Sequence, residues 1–173
     1  MDDAPSDSSA ELTPRPPQRE DVVRICRELN RLGANYVVVG GFAIIEAGYP
    51  RTTGDIDLLI DPALDNEARV FEALTILPDG CVRELDAGDV GRFTVVRVAD
   101  EVLVDLMAKA SGISYEDAKG HVHVREVDGV GIPFAAPDLL WRMKRHTHRA
   151  KDQGDLYFLR ELFAAEGRQP PDR

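Results

Sequence analysis

The chain has 173 residues, 43% of them hydrophobic and 30% charged, and carries 31 Asp and Glu against 21 Lys and Arg for a net charge of -10. That length fits one domain able to bury a sizeable core, and no apolar run approaches the roughly 20 residues that span a bilayer, so the chain does not read as a membrane protein. Extensive gripping of nucleic acid through its phosphates needs a surplus of basic side chains on the contact surface; the balance here is the reverse, which favours a small anionic ligand held by a local basic patch.

In chain order, residues 1–18 are rich in Pro, Ser and acidic side chains and read as a disordered leader. The first ten lack the basic and then apolar segments of a secretory signal, which points to a cytoplasmic protein. A single domain is expected over 19–166, followed by a flexible tail at 167–173. Val22, Val23, Ile25, Cys26 and Leu29 recur at helical spacing ahead of Gly33, predicting a helix over 19–32. Tyr36-Val37-Val38-Val39 is a short strand that runs through Gly40-Gly41 into a helix over 42–47. A second strand covers 55–60, and a helix with Val70, Phe71, Leu74 and Leu77 on one face covers 64–77. Three extended segments are expected at 81–85, 92–98 and 101–107, the last two as a hairpin. A short helix at 115–119 precedes a second hairpin, 122–127 with 130–133, turning at Asp128-Gly129. Pro137 opens a helix at its permitted first-turn position, and a final helix runs over 151–166. Cys26 and Cys81 form no CxxC pair and read as ordinary buried or half-buried residues.

The chemistry concentrates at Gly40-Gly41 and Asp55-Ile56-Asp57. Strand alternation sends Asp55 and Asp57 to one face and Ile56, Leu58 and Ile60 to the other. Two carboxylates roughly 7 Å apart along a strand repel each other unless a cation lies between them. Magnesium, which takes a few carboxylates together with phosphate oxygens and water, suits such a pair. Asp105, a charge within Val102-Leu103-Val104-Asp105-Leu106-Met107, adds a third carboxylate if its strand neighbours the first. Three carboxylates suffice for two metals and for aligning an attacking hydroxyl. Gly40 and Gly41 let a phosphate approach the backbone at the start of the following helix. The basic stretch 141–151 suits an anionic ligand.

Val39-Gly40-Gly41, a gap of 13 residues, Asp55-Ile56-Asp57 and a later strand Asp105 resemble the nucleotidyltransferase fold shared with DNA polymerase beta. The segments 48–54, 139–144 and 149–156 are similar to the small bacterial branch that includes abortive-infection and toxin-type nucleotidyltransferases, and the resemblance covers about residues 20–163. It implies an α+β fold: a mixed sheet with helices packed on one face and a C-terminal helical pair. It also implies attack of an acceptor on the α-phosphate of an NTP such as ATP, with pyrophosphate leaving. Asp55, Asp57 and Asp105 would hold two magnesium ions, Asp105 alternatively acting as base, Gly40 and Gly41 would contact phosphate, and Lys144 and Lys151 would neutralise the β and γ phosphates. Arg51 would add a guanidinium fork to phosphate and Thr52 or Thr53 a hydroxyl. Many active members carry Ser where this chain has Gly41, and the chain has no room for a large acceptor-binding domain. The acceptor, a protein, an RNA or a small-molecule hydroxyl, is left open.

Two other functions fit the same motifs: a non-catalytic NTP-binding protein or toxin–antitoxin partner, and an antibiotic nucleotidyltransferase of the aminoglycoside or lincosamide kind, whose cationic drug would suit an acidic surface. Elsewhere the plain structural reading wins. His121 with His123 and His146 with His148 read as surface pairs, the latter diverging by about 200° on a helix. Trp141 reads as packing its helix on the sheet.

Overall fold

The structure, a computed structural model, describes residues 13–172; the first twelve residues of the expected leader and Arg173 lie outside the described residues. Helix α1 (Arg19–Arg31) follows from its apolar stripe, with Val22, Ile25, Cys26 and Leu29 all buried. Its first turn is closed by Asp21, which accepts from the Gln18 N–H at 2.7 Å. The chain then forms β1 (Tyr36–Val39), α2 (Gly40–Glu46), β2 (Asp55–Ile60) and α3 (Leu64–Leu74). After a 3-10 turn at Cys81–Glu84 come α4 (Asp89–Arg92), β3 (Val96–Ala99), β4 (Leu103–Met107), a two-residue pair β5 (Lys109–Ala110) and β6 (Ile113–Ser114), and α5 (Tyr115–Ala118). Hairpin β7 (Val122–Val127) and β8 (Val130–Ala135) leads to α6 (Pro137–Lys144) and α7 (Ala150–Ala165).

Six strands form one mixed sheet in the order β3-β4-β2-β1-β8-β7. The pairs β2–β4 and β1–β8 are parallel and the rest antiparallel. Central β1 is buried at all four positions, as a strand covered on both sides must be. In β2, Ile56, Leu58 and Ile60 are fully buried while Asp55 and Asp57 remain partly exposed, so one face joins the core and the other opens toward solvent. Each fully buried Leu or Ile here stabilises the fold by roughly 1.5–3 kcal/mol. Helix α1 packs on α3, α2 packs on β1 and β2, and the C-terminal pair α6–α7 joins the domain through contact of α6 with α2. The hairpin β7–β8 turns through Asp128 at φ +50° and Gly129 at φ +77°, as a two-residue turn of this hand requires. Among the described residues no helix is long and apolar enough to cross a membrane.

The fold differs from expectation between residues 81 and 95, where strands at 81–85 and from 92 onward give way to the 3-10 turn and α4, and β3 begins only at Val96. Two buried carboxylates cause this. Asp100 accepts from the N–H groups of Asp79 (2.9 Å) and Cys81 (3.0 Å), and Glu67 from those of Gly88 (2.5 Å) and Val90 (3.0 Å). Backbone donors satisfied by side chains are not available to a ladder. The ends of the domain are also more engaged than composition suggests. Arg15, placed in the leader, donates its N–H to the Glu101 carbonyl at 2.9 Å and its guanidinium to Asp21 and Glu101. In the tail, Arg168 pairs with Asp138 and Glu166 and lies 4.3 Å over the Phe163 ring. Trp141, expected to pack its helix on the sheet, is buried and makes its ring contact with α7, edge-on to Phe163 at 6.1 Å. Cys26 is buried and Cys81 half-buried.

Candidate active site

The open face of β2 gathers the carboxylates. Strands β2 and β4 run parallel with Asp57 directly opposite Asp105, so alternation on both strands puts Asp55, Asp57 and Asp105 on one side of the sheet. One oxygen from each lies within 4.8 Å of the others. Burial, then the charges of Asp55 and Asp105, push the Asp57 carboxyl up to about 7, with Lys151 and Lys144 pulling the other way. The donor set is all oxygen, anionic and open to a cavity, which fits a hard divalent cation that keeps water and ligand oxygens in its shell.

Gly40 and Gly41 stand where β1 ends, beside the carboxylates, since Val39 pairs with Asp57 across β1–β2. Gly40 has φ +64°, and a Cβ there would fall on the Asp57 carboxylate. A Cβ on Gly41 would lie 2.5 Å from Thr53 Oγ1 and 2.6 Å from Thr53 Cβ. Both glycines are therefore demanded by the chain's own packing, in addition to any close approach by a ligand. Ser, which the sequence resemblance allows at the second glycine, does not fit this backbone while Thr53 holds its place.

A cavity of about 650 Å³ rises from the carboxylates. Gly40, Gly41, Arg51, Thr53, Asp55, Asp57, Asp105, Lys144 and Lys151 all line it, and Thr52 does not. The hydroxyl of Thr53 lies 3.2 Å from the Asp55 carbonyl and 3.4 Å from its Oδ1, so it orients the strand's first carboxylate. Arg51 is already engaged: Nε and Nη2 grip Asp155 at 2.8 and 3.0 Å, and Nη1 donates to the Thr52 carbonyl at 2.8 Å.

The two lysines have different fates. Lys144 is buried, with its ammonium 2.9 Å from both Asp152 and Asp155, two carboxylates with no exposed side-chain surface. Asp152 also accepts from Thr147 and Arg149 at 2.7 Å each. Burial alone would raise the Asp152 carboxyl, but its bonds from Lys144, Thr147 and Arg149 prevail and hold it at about 2. Lys144 thus ties α6 to α7 at the cavity wall. Lys151, the second residue of α7, is exposed, faces the cavity and makes no ion pair within 4 Å among the described residues. Asp155, one turn further along the helix, is taken by Arg51 and Lys144.

Arg97 is the site residue that sequence reasoning missed. On β3 it lies directly opposite Asp105, donating Nε to Oδ1 and Nη2 to Oδ2 at 2.8 Å each, with Nη2 also 3.4 Å from Asp55 Oδ2. The signal was present in the alternation Val96-Arg97-Val98, an outward cation between two inward valines. Lys109, on the two-residue strand β5, and Arg149 also line the cavity.

No protein-family model matches the chain and no curated protein matches it. Its likeness is to solved structures. A lincosamide antibiotic adenylyltransferase, LnuA, in a lincomycin-bound form, superposes with a TM-score of 0.54 at 13% identity, over 86% of this chain and 99% of that one. An antigenic nucleotidyltransferase-like protein from Paracoccidioides brasiliensis superposes with a TM-score of 0.51 at 18% identity, over 86% of this chain and 79% of that one. At these identities the likeness speaks to the fold alone: the chain shares the fold of these nucleotidyltransferase structures.

Proposed function

We propose that the chain is a magnesium-dependent nucleotidyltransferase of the small bacterial kind, moving a nucleoside monophosphate from an NTP to an acceptor hydroxyl with release of pyrophosphate. The observation that carries this reading is the pairing of Asp57 with Asp105 across β2 and β4, which converges three carboxylates at one end of a cavity whose far wall is basic. Asp55 and Asp57 would hold a divalent cation, which would supply charge stabilisation at the reacting phosphorus. Gly40 and Gly41 keep the cavity wall free of side chains beside Asp57. Lys151 meets the β and γ phosphates. Arg51 turns its remaining N–H donors to the ligand while Asp155 fixes the fork, and Lys144 holds the start of α7 so that Lys151 reaches the site. An NTP substrate implies a compartment that supplies it, the cytoplasm.

Calorimetry with each of the four NTPs and magnesium tests the proposal. Heat that disappears without magnesium, and in Asp55→Asn and Asp57→Asn, is expected; no heat with any NTP overturns the assignment. Pyrophosphate release in cell extract separates the enzyme from a non-catalytic NTP-binding or toxin–antitoxin protein. The acidic end of the cavity and the net charge of -10 favour a small cationic acceptor, and the LnuA likeness makes an aminoglycoside- or lincosamide-like drug the first to assay, by resistance on overexpression.

A further inference from the structure

Three carboxylates at the cavity floor leave a charge problem that the chain has partly solved for itself. Arg97 brings the one guanidinium that bonds any of them among the described residues, and it bonds two. Its contact with Asp105 is a two-pronged fork on a carboxylate whose side chain is 8% exposed, the geometry in which Arg binds most strongly and for which Lys is a poor substitute. The placement is built into the sheet, because Arg97 and Asp105 are register partners on antiparallel strands. Asp55 receives only the long 3.4 Å edge of that guanidinium, and Asp57 receives no bond from it. The floor is thus divided: Asp105 has a resident cation, whereas Asp55 and Asp57 keep their oxygens available.

We propose that Arg97 takes the place of a second metal ion at Asp105, so that the site binds one divalent cation, on Asp55 and Asp57, instead of two. This rests on the metal-dependent reading above and corrects the count of two ions that the sequence resemblance implies. The fork keeps Asp105 oriented, and the positive charge of Arg97 repels a second ion from the Asp105 side. In charge terms, one guanidinium and one divalent ion together balance three carboxylates, which two divalent ions would exceed.

The test counts bound ions. Manganese alone, and manganese with a non-hydrolysable analogue of each NTP, is titrated into the intact protein and read by the paramagnetic resonance of the free ion. Wild type is expected to bind one ion through its carboxylates, Arg97→Gln to gain a second, and Arg97→Lys, which keeps the charge, to stay at one. With the nucleotide analogue each count rises equally if the triphosphate brings an ion of its own, so the difference between wild type and Arg97→Gln is the decisive quantity. Thermal melting gives a second readout: Arg97→Gln melts lower than wild type without divalent ions and recovers in magnesium, and Asp105→Asn in the same chain removes that recovery. A merely structural arginine would leave metal rescue unchanged. Equal counts in wild type and Arg97→Gln, or two carboxylate-bound ions in wild type, overturn the inference and leave the metal site standing. Absence of manganese binding by either protein under every condition sinks the metal-dependent reading itself.

Discussion

Two groups of acidic side chains stand at the same cavity, one lining its sheet wall and the other buried behind its helix wall, and they are balanced differently. On the sheet wall, Asp55, Asp57 and Asp105 answer to a single guanidinium, that of Arg97. On the helix wall, Asp152 and Asp155 are met by Lys144, Arg51 and Arg149 at 2.7 to 3.0 Å. The first group is charged in excess and open, the second closed and slightly overcompensated. A closed buried network fixes geometry, because removing a member strands its partners; an unbalanced one requires something from outside. The contrast identifies the sheet wall as the ligand's side and the helix wall as the frame that aims Lys151.

The largest effect that tests this division is on the closed wall. Asp155→Ala leaves the buried Lys144 ammonium with one carboxylate and frees the Arg51 fork, and urea unfolding should show a loss of about 3–5 kcal/mol. A loss under 1 kcal/mol would mean that the helix wall is not the rigid frame described. Next comes the junction between the walls. Gly40→Ala puts a side chain at φ +64° and onto the Asp57 carboxylate, which should cost about 2–4 kcal/mol from backbone strain and displaced packing. Its NTP binding should fall together with stability, since Asp57 must swing aside.

How far the sequence could reveal this contrast depends on the distance over which each feature is decided. Alternation within 55–60 announces the exposed pair Asp55 and Asp57, and Asp105 stands out as a charge between Val104 and Leu106. Their convergence depends on the adjacency and register of β2 and β4, which no periodicity encodes and only the resemblance to a known fold suggested. The segment 81–95 was misjudged for a related reason: its apolar residues suit a strand, but Glu67 and Asp100, up to 23 residues away, hold its backbone N–H groups. Lys144 shows the same limit in a side chain. Its place in a basic stretch suggests a free cation, whereas the turn between α6 and α7 folds Asp152 and Asp155 onto it.

On the open wall, removal of a carboxylate should have the opposite sign. Asp57 is held up to about 7 from its ordinary 3.8, so the folded chain retains a proton there that the unfolded chain has released. The stability penalty is absent below about pH 4, accumulates as pH rises toward 7 and is complete above it. Asp57→Asn should therefore be more stable than wild type above pH 7 in the absence of divalent ions, by on the order of 1–2 kcal/mol after allowance for partial solvent contact, with the gap closing toward pH 4. A gap that widens on acidification would show that Asp57 is paired like Asp155 and would dissolve the contrast.

The smallest stability effect belongs to Lys151, which carries the helix wall's charge into the cavity without an ion pair of its own. Lys151→Ala should change unfolding free energy by less than about 0.5 kcal/mol, while weakening magnesium–NTP binding about tenfold, the equivalent of one charge-assisted phosphate contact. Lys144→Met, a similar length without charge, should instead lose stability through stranded Asp152 and Asp155, with NTP binding falling only as the frame loosens. If the two variants shared one pattern, the frame and the ligand-facing cation would not be separate parts. A Lys151→Ala protein that is stable and still binds NTP normally would move the phosphate contact to Arg149 or Lys109, two further cations lining the cavity.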